Sequence, residues 1–295
     1  MSGFWIMLVG AMVAACCAIL GSFLVLRRMA LVGDAISHSV LPGIVIAFLV
    51  SGSRDSFFML LGAALVGFVT VFLIQMFQSS GLQSDASIGV VFTALFAVGV
   101  VLVSLNARNI DLDLDCVLFG EIAYVQWNVL EIGGTALGPK AVWLVGFALL
   151  AIVAVVGLFY KQFKICAFDP ALALALGIPV AVFHYALMGL VSLATVSSFE
   201  SVGAVLVVGL LVIPPSAAYL LTDRLGRMIG IAVGIGVASS VAGYYAAVWL
   251  DASIAGCMVC AAGAQFALAF LFSPKHGLAA KRRRRLRSAL AGQAG

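Results

Sequence analysis

A carboxylate and an imidazole stand four residues apart in the segment Leu31-Val-Gly-Asp-Ala-Ile-Ser-His-Ser-Val-Leu-Pro-Gly43, as Asp34 and His38. On a helix that spacing puts both on one face with Ser37 adjacent, so their side chains can meet one ion. A carboxylate oxygen with an imidazole nitrogen suits manganese, ferrous iron or zinc, whereas a dedicated copper(I) site would favour thiolates or thioethers. The same spacing also suits an Asp–His hydrogen bond that packs helices, and the two residues alone do not separate these uses.

Fewer clues attend the other candidates. Glu200, in Phe199-Glu-Ser-Val-Gly203, is a candidate outer ligand or gate, and equally a capping or interface residue, because acids are favoured at a helix N-terminus. His184 lacks an acidic neighbour in sequence and reads as structural or interfacial. The six cysteines, Cys16, Cys17, Cys116, Cys166, Cys257 and Cys260, sit mostly in apolar stretches where cysteine behaves as a small hydrophobe. The Cys257-x-x-Cys260 pair, with no second ligand pair, reads as helix packing.

The elements that must position these residues are set by composition. Of 295 residues, 64% are hydrophobic and 9% charged, which excludes a soluble domain with a solvated surface. A bilayer crossing takes about 20 apolar residues, and such stretches repeat along the chain with short polar breaks. They predict helices near 3–26, 30–50, 57–77, 86–105, 141–160, 180–199, 201–222, 228–250 and 253–273. The N-terminal run is longer than a signal peptide's apolar core and is read as a retained first helix. Residues 1–275 are then one all-α membrane domain of eight to nine crossings, and 276–295 a basic cytoplasmic tail expected to be disordered.

Within such a domain an acidic residue near a helix centre costs about 2.5–3.5 kcal/mol, so Asp34 and His38 need a reason to be there. Counting ~1.5 Å per residue from Arg28, they lie ~9 Å and ~15 Å along the second span, a depth that suits a transport pathway. Pro42-Gly43 is expected to interrupt that span and Pro214-Pro215 the seventh; such breaks line cavities in transporters or act as simple kinks.

The net charge of +4 resides mostly in the tail Lys281-Arg-Arg-Arg-Arg-Leu-Arg287, which reads as an anchor to anionic lipid and requires no nucleic acid. Placing that tail in the cytoplasm puts Arg27/Arg28, Lys161/Lys164 and Arg224/Arg227 inside as well. The opposite face collects Asp55, Asp111, Asp113, Asp115, Glu121, Glu131 and Asp251, an acidic surface that would attract cations or the basic rim of a delivering protein. The outer connection, about 106–140, contains Ile122-Ala-Tyr-Val-Gln-Trp-Asn-Val-Leu130, predicted as a helix lying near the outer rim. In the inner connection, about 161–179, Asp169 can cap a helix with Pro170 at its first position and Gly177 ending it. That segment reads either as an adapter for a soluble partner or as a tidy loop. No Gly-x-x-x-x-Gly-Lys-Ser/Thr loop occurs, so energy from ATP would have to come from another chain.

Taken together, these motifs resemble the metal-ion permeases of bacterial ABC transporters for manganese, zinc and iron, of ABC-3 type. The segment from Leu31 to Gly43 resembles the family's Gly-Asp-Ala-x-Ser-His-x-x-Leu-Pro-Gly signature. Further matches, in the same order, are Ser84-Asp-Ala-Ser-Ile-Gly89, Leu118-Phe-Gly120, Phe168-Asp-Pro170 with Leu176-Gly177, and Val202-Gly-Ala-Val-Leu-Val-Val-Gly-Leu-Leu-Val-Ile-Pro214. The resemblance runs from about Gly21 to Gly277. It implies a type II importer in the bacterial cytoplasmic membrane, with two permeases (a second copy or a paralogue), two ATP-binding subunits and an extracytoplasmic metal-binding protein. It assigns Asp34 and His38 to the path of a transported manganese, zinc or iron ion, leaves Glu200 a candidate, and makes Phe168, Asp169, Pro170 and Gly177 part of the segment that couples to the ATPase. No permanently bound cofactor and no catalytic residue are implied. The chain departs from the family at Ala171-Leu-Ala-Leu-Ala-Leu176, where acidic or polar residues are common, and its 199–203 variant looks most like manganese-leaning members. A secondary transporter in which Asp34 or His38 titrates, working without an ATPase, is the alternative, and a non-transporting scaffold the third reading.

Overall fold

The computed structural model describes residues 2–51, 56–106, 122–126, 129–132 and 135–273. Its helices are α1 (Ser2–Leu26), α2 (Leu31–Ser39), α3 (Leu41–Ser51), α4 (Ser56–Ser79), α5 (Ser84–Asn106), α6 (Lys140–Leu158), α7 (Tyr160–Phe168), α8 (Pro170–Ala175), α9 (Val180–Val202), α10 (Ala204–Leu221), α11 (Leu225–Leu250) and α12 (Ile254–Phe272). Counting α2 and α3 as one broken span, nine crossings long and apolar enough for a bilayer lie among the described residues. Each matches a predicted span, because an apolar run of that length has no other way to satisfy its backbone in hydrocarbon.

The crossings form two groups. In one, α1 is enclosed by α6, α9, α10 and α11, while α12 packs on α10 and α11. Val9, Val13, Cys16, Cys17, Leu20, Phe23 and Leu24 of α1 are fully buried, which accounts for both N-terminal cysteines as packing residues. In the other group, α3, α4 and α5 pack on one another with α2 against α5 and α4. The groups meet where α9 touches α4 and α2, and where α2 touches α10. The α3–α4 contact is made by backbone: a Cβ on Gly43 would lie 2.5 Å from the Gly62 carbonyl oxygen, and one on Gly62 2.5 Å from that of Gly43.

Prolines act differently in the two predicted breaks. The second span does break, at Val40, so that Pro42 sits in the first turn of α3, where its missing N–H costs nothing. The seventh does not break: α10 runs through Pro214 and Pro215, both buried. Pro215 has no N–H for the carbonyl of Leu211, four residues back. Gly21 of α1 packs against that carbonyl, and a Cβ there would strike it and come within 2.8 Å of Pro215 Cγ. A close neighbour without a side chain thus covers the kink site, and the helix continues.

The outer connection also differs from expectation. Ile122–Gln126 forms one short 3-10 turn, with Ile122 and Val125 buried, and is followed by an antiparallel hairpin of β1 (Val129–Ile132) and β2 (Thr135–Pro139) with an irregularity between Val129 and Glu131. The amphipathic run is too short to sustain a helix of its own. Asp55, Asp111, Asp113, Asp115, Glu121, Cys116, the 118–120 match and the tail from 274 lie outside the described residues.

Candidate functional site

α2 positions the carboxylate and the imidazole. Its Val32, Gly33, Ala35, Ile36, Ser37 and Ser39 are buried, which leaves Asp34 and His38 on the remaining face. Asp34 Oδ1 lies 3.4 Å from His38 Nε2, and the two side chains keep 39% and 34% of their surface accessible, enough to reach a ligand. The ring of His38 is bounded by Phe92 and Phe96 of α5, each with its centroid 6.0 Å away, and Phe96 is edge-on to it. These aromatics, four apart on α5, present one apolar wall; their spacing was readable in the sequence, but their partner was not.

Ser37 takes no part in the pair. Its hydroxyl donates to the carbonyls of Gly33 at 3.0 Å and Asp34 at 2.9 Å, turned back along its own helix. Ser39 is the polar anchor that spacing did not reveal. Thr70 of α4 donates to Ser39 Oγ at 2.7 Å, and Ser39 donates to the Ile36 carbonyl at 3.1 Å, tying the last turn of α2 to α4 immediately before the break. No group of three or more His, Cys, Asp or Glu side chains converges among the described residues. Asp34 and His38 therefore offer two ligands, and a bound ion would complete its shell with backbone carbonyls, water or groups from another chain.

Glu200 lies on a different element from this pair. Its backbone belongs to the last turn of α9, which runs to Val202, and not to the first turn of α10, which begins after Gly203 with φ 79°. An acid at that end of α9 gains nothing from the helix dipole, so the N-terminal capping expected for it does not arise within α9.

The connection between the fifth and sixth spans has the caps its residues promise. Asp169 Oδ1 accepts from the Leu172 N–H at 3.0 Å, and Pro170 occupies the first position of α8. At the other end Gly177, φ 74°, adopts the left-handed conformation that glycine enters without a Cβ clash. Its N–H bonds the Leu174 carbonyl at 3.0 Å while that of Ile178 bonds Ala173 at 2.9 Å, the paired closure of a Schellman motif. This helix of six residues buries Ala173 and exposes Leu172, Leu174 and Leu176, with Phe168 exposed just before it. Two cavities, of about 450 and 530 Å³, adjoin Phe168; Arg28 lines the first, Lys164, Arg224 and Arg227 the second, and Asp223 both.

Among the remaining candidates, His184 is not isolated: its Nδ1 lies 3.1 Å from Arg27 Nη1. Cys257 is partly buried and Cys260 exposed, and both are free thiols.

Known proteins are similar to this chain in sequence and in fold. The chain is 52% identical over 282 residues, 96% of each, to the manganese transport system membrane protein MntD of Bacillus subtilis (strain 168). It is 43% identical over 274 residues, 92% of this chain and 74% of the other, to the zinc transport system membrane protein TroD of Treponema pallidum (strain Nichols). The solved structure of PsaBC from Streptococcus pneumoniae in complex with Fab superposes with a TM-score of 0.77 at 29% identity, covering 92% of both chains. The profile of the ABC 3 transport family matches residues 3–273, which hold all nine crossings found among the described residues, and the chain belongs to that family.

Proposed function

We propose that this chain is the membrane-spanning permease subunit of an ATP-binding cassette importer for divalent transition metal ions, with manganese its favoured cargo. The observation that carries the reading is the Asp34–His38 pair, more than a third accessible on the one face of α2 that the bundle does not bury. An ionisable pair kept inside a membrane, with a shell still to be filled, is suited to holding a divalent ion briefly and releasing it. Manganese is favoured by the 52% identity to MntD, and zinc and iron share the same oxygen and nitrogen donor preference.

Metal passes through unchanged, so the chain acts by changing shape and not by catalysis. α8, with its exposed leucines, is the element that an ATP-binding subunit would grip, and its tight caps let it move as a rigid body. A second permease, identical or paralogous, would face the first across the path, and an extracytoplasmic metal-binding protein would deliver the ion. The positive-inside distribution supports a cytoplasmic position for Arg27, Lys161, Lys164, Arg224 and the C-terminus in the bacterial inner membrane.

Uptake of radioactive manganese and zinc, in cells lacking their own importers and expressing this chain with and without its ATP-binding subunit, tests the reading. Accumulation that requires the ATP-binding subunit and is greater for manganese is expected. Equal accumulation without that subunit would establish the secondary transporter instead.

A further inference from the structure

A third cavity, of about 570 Å³, lies at the end of α1 and is distinct from the Asp34–His38 face. It is lined by Arg27 and Arg28, by Gln75 of α4, by Cys166 of α7, and by His184 and Tyr185 of α9. Arg27 follows Leu26, the last residue of the first crossing, so the cavity lies where hydrocarbon gives way to headgroups.

Among the described residues that line it, nothing offsets the charge of Arg27. Arg27 Nη2 is buried and has no hydrogen-bond partner among the described residues. Nη1 faces His184 Nδ1, and since a guanidinium only donates, that nitrogen is the unprotonated acceptor of a neutral imidazole, which accepts a hydrogen bond but brings no counter-charge. No Asp or Glu is among the described residues lining the cavity. Burial pushes the Cys166 thiol up, against the pull of Arg27, so it stays protonated and supplies no counter-charge. Burial likewise pulls the Arg27 guanidinium below its ordinary value. Two adjacent arginines, one with a buried donor aimed at nothing, are stable in such a place when an anion completes them.

We propose that this cavity is a binding site for the phosphate of an anionic phospholipid headgroup. Arg28 and the Arg27 guanidinium bond the phosphate oxygens, Gln75 and Tyr185 supply further polar contacts, and the partly buried Leu26 and Met29 border the glycerol. Basic pockets between membrane helices at a cytoplasmic surface are suited to such headgroups, and exposed Ala181 at the start of α9 leaves this one accessible. Because Pro170 of α8 also borders the cavity, the lipid would brace the segment to which the ATP-binding subunit attaches. Placing the lipid in the inner leaflet rests on the orientation proposed above. Headgroup binding itself does not, so the two can fail separately.

Native mass spectrometry of the full chain, purified in detergent and titrated with phosphatidylglycerol and phosphatidylcholine, tests this. Wild type should retain phosphatidylglycerol preferentially, and Arg27→Gln or Arg28→Gln should each weaken that retention by about five-fold, while Lys161→Gln leaves it unchanged. Arg28 is exposed, so its variant folds even where Arg27→Gln does not. Equal retention of the two lipids, or equal loss in Lys161→Gln and Arg28→Gln, would overturn the site. Inorganic phosphate that binds alone and displaces the lipid would reassign it to a soluble anion. Release of the lipid on assembly with the ATP-binding subunit would overturn it in favour of a protein carboxylate.

Discussion

An imidazole one helical turn after a carboxylate can serve as a packing pair or as two ligands, and the difference lies in what surrounds them. Here the pair keeps more than a third of its surface open, bounded on one side by Phe92 and Phe96, while every helical neighbour from Val32 to Ser39 is buried. That accessibility is what the ligand role proposed above requires. Asp34→Asn and His38→Gln should each lower manganese uptake by on the order of tenfold or more at matched membrane abundance, because even outer partners of metal ligands contribute that much. Ser37→Ala should leave uptake near the parent's, since its hydroxyl is occupied by the Gly33 and Asp34 carbonyls. A Ser37→Ala loss as deep as that of Asp34→Asn would show that the hydroxyl turns toward the ion. The sequence placed Asp34, His38 and Ser37 together because helical spacing is local. It had no means of showing that Ser37 points back along the helix, or that Ser39, the next polar residue, is held by Thr70 thirty-one positions away.

At the scale of elements, α8 illustrates local determination. Asp169, Pro170 and Gly177 are each a cap with its own chemistry, and all three appear where their types predict. Asp169→Ala should remove about 1 kcal/mol from this short helix. Its measurable consequence is weaker metal-stimulated ATP hydrolysis by the assembled transporter, with metal binding to the permease unchanged; a parallel loss of metal binding would show that α8 supports the ion path directly. α10 illustrates the opposite. Two consecutive prolines forecast a break, but the helix continues because Gly21 of α1 lies against the carbonyl that Pro215 leaves free. Gly21→Val should therefore destabilise the detergent-solubilised chain by roughly 1–3 kcal/mol through overpacking, read as a lower midpoint of thermal unfolding. An unchanged midpoint would mean that α1 and α10 separate at no cost.

For the whole molecule, the sidedness of charge makes a prediction that no single residue does. A single cysteine placed at Lys161 in a cysteine-free background should react with a membrane-impermeant maleimide only after cells are lysed, and one placed at Asp251 should react in intact cells. The reverse pattern would invert the transporter and move the basic cavities around α8 to the outer face. That mapping rests on the nine crossings found among the described residues, an odd number.

The positions of the spans and the caps of α8 were determined by sequence alone, because each depends on a continuous run or on residues a few positions apart, and hydrocarbon leaves such runs no alternative to helix. Tertiary structure decided what depends on approach between distant segments. The Gly21–Pro215 contact keeps α10 whole, the α5 aromatics border His38, and the Arg27–His184 pairing spans more than half the chain. None of these has a local signature, since a glycine, a phenylalanine or an arginine reads the same in sequence whether its neighbour in space is lipid, water or another helix.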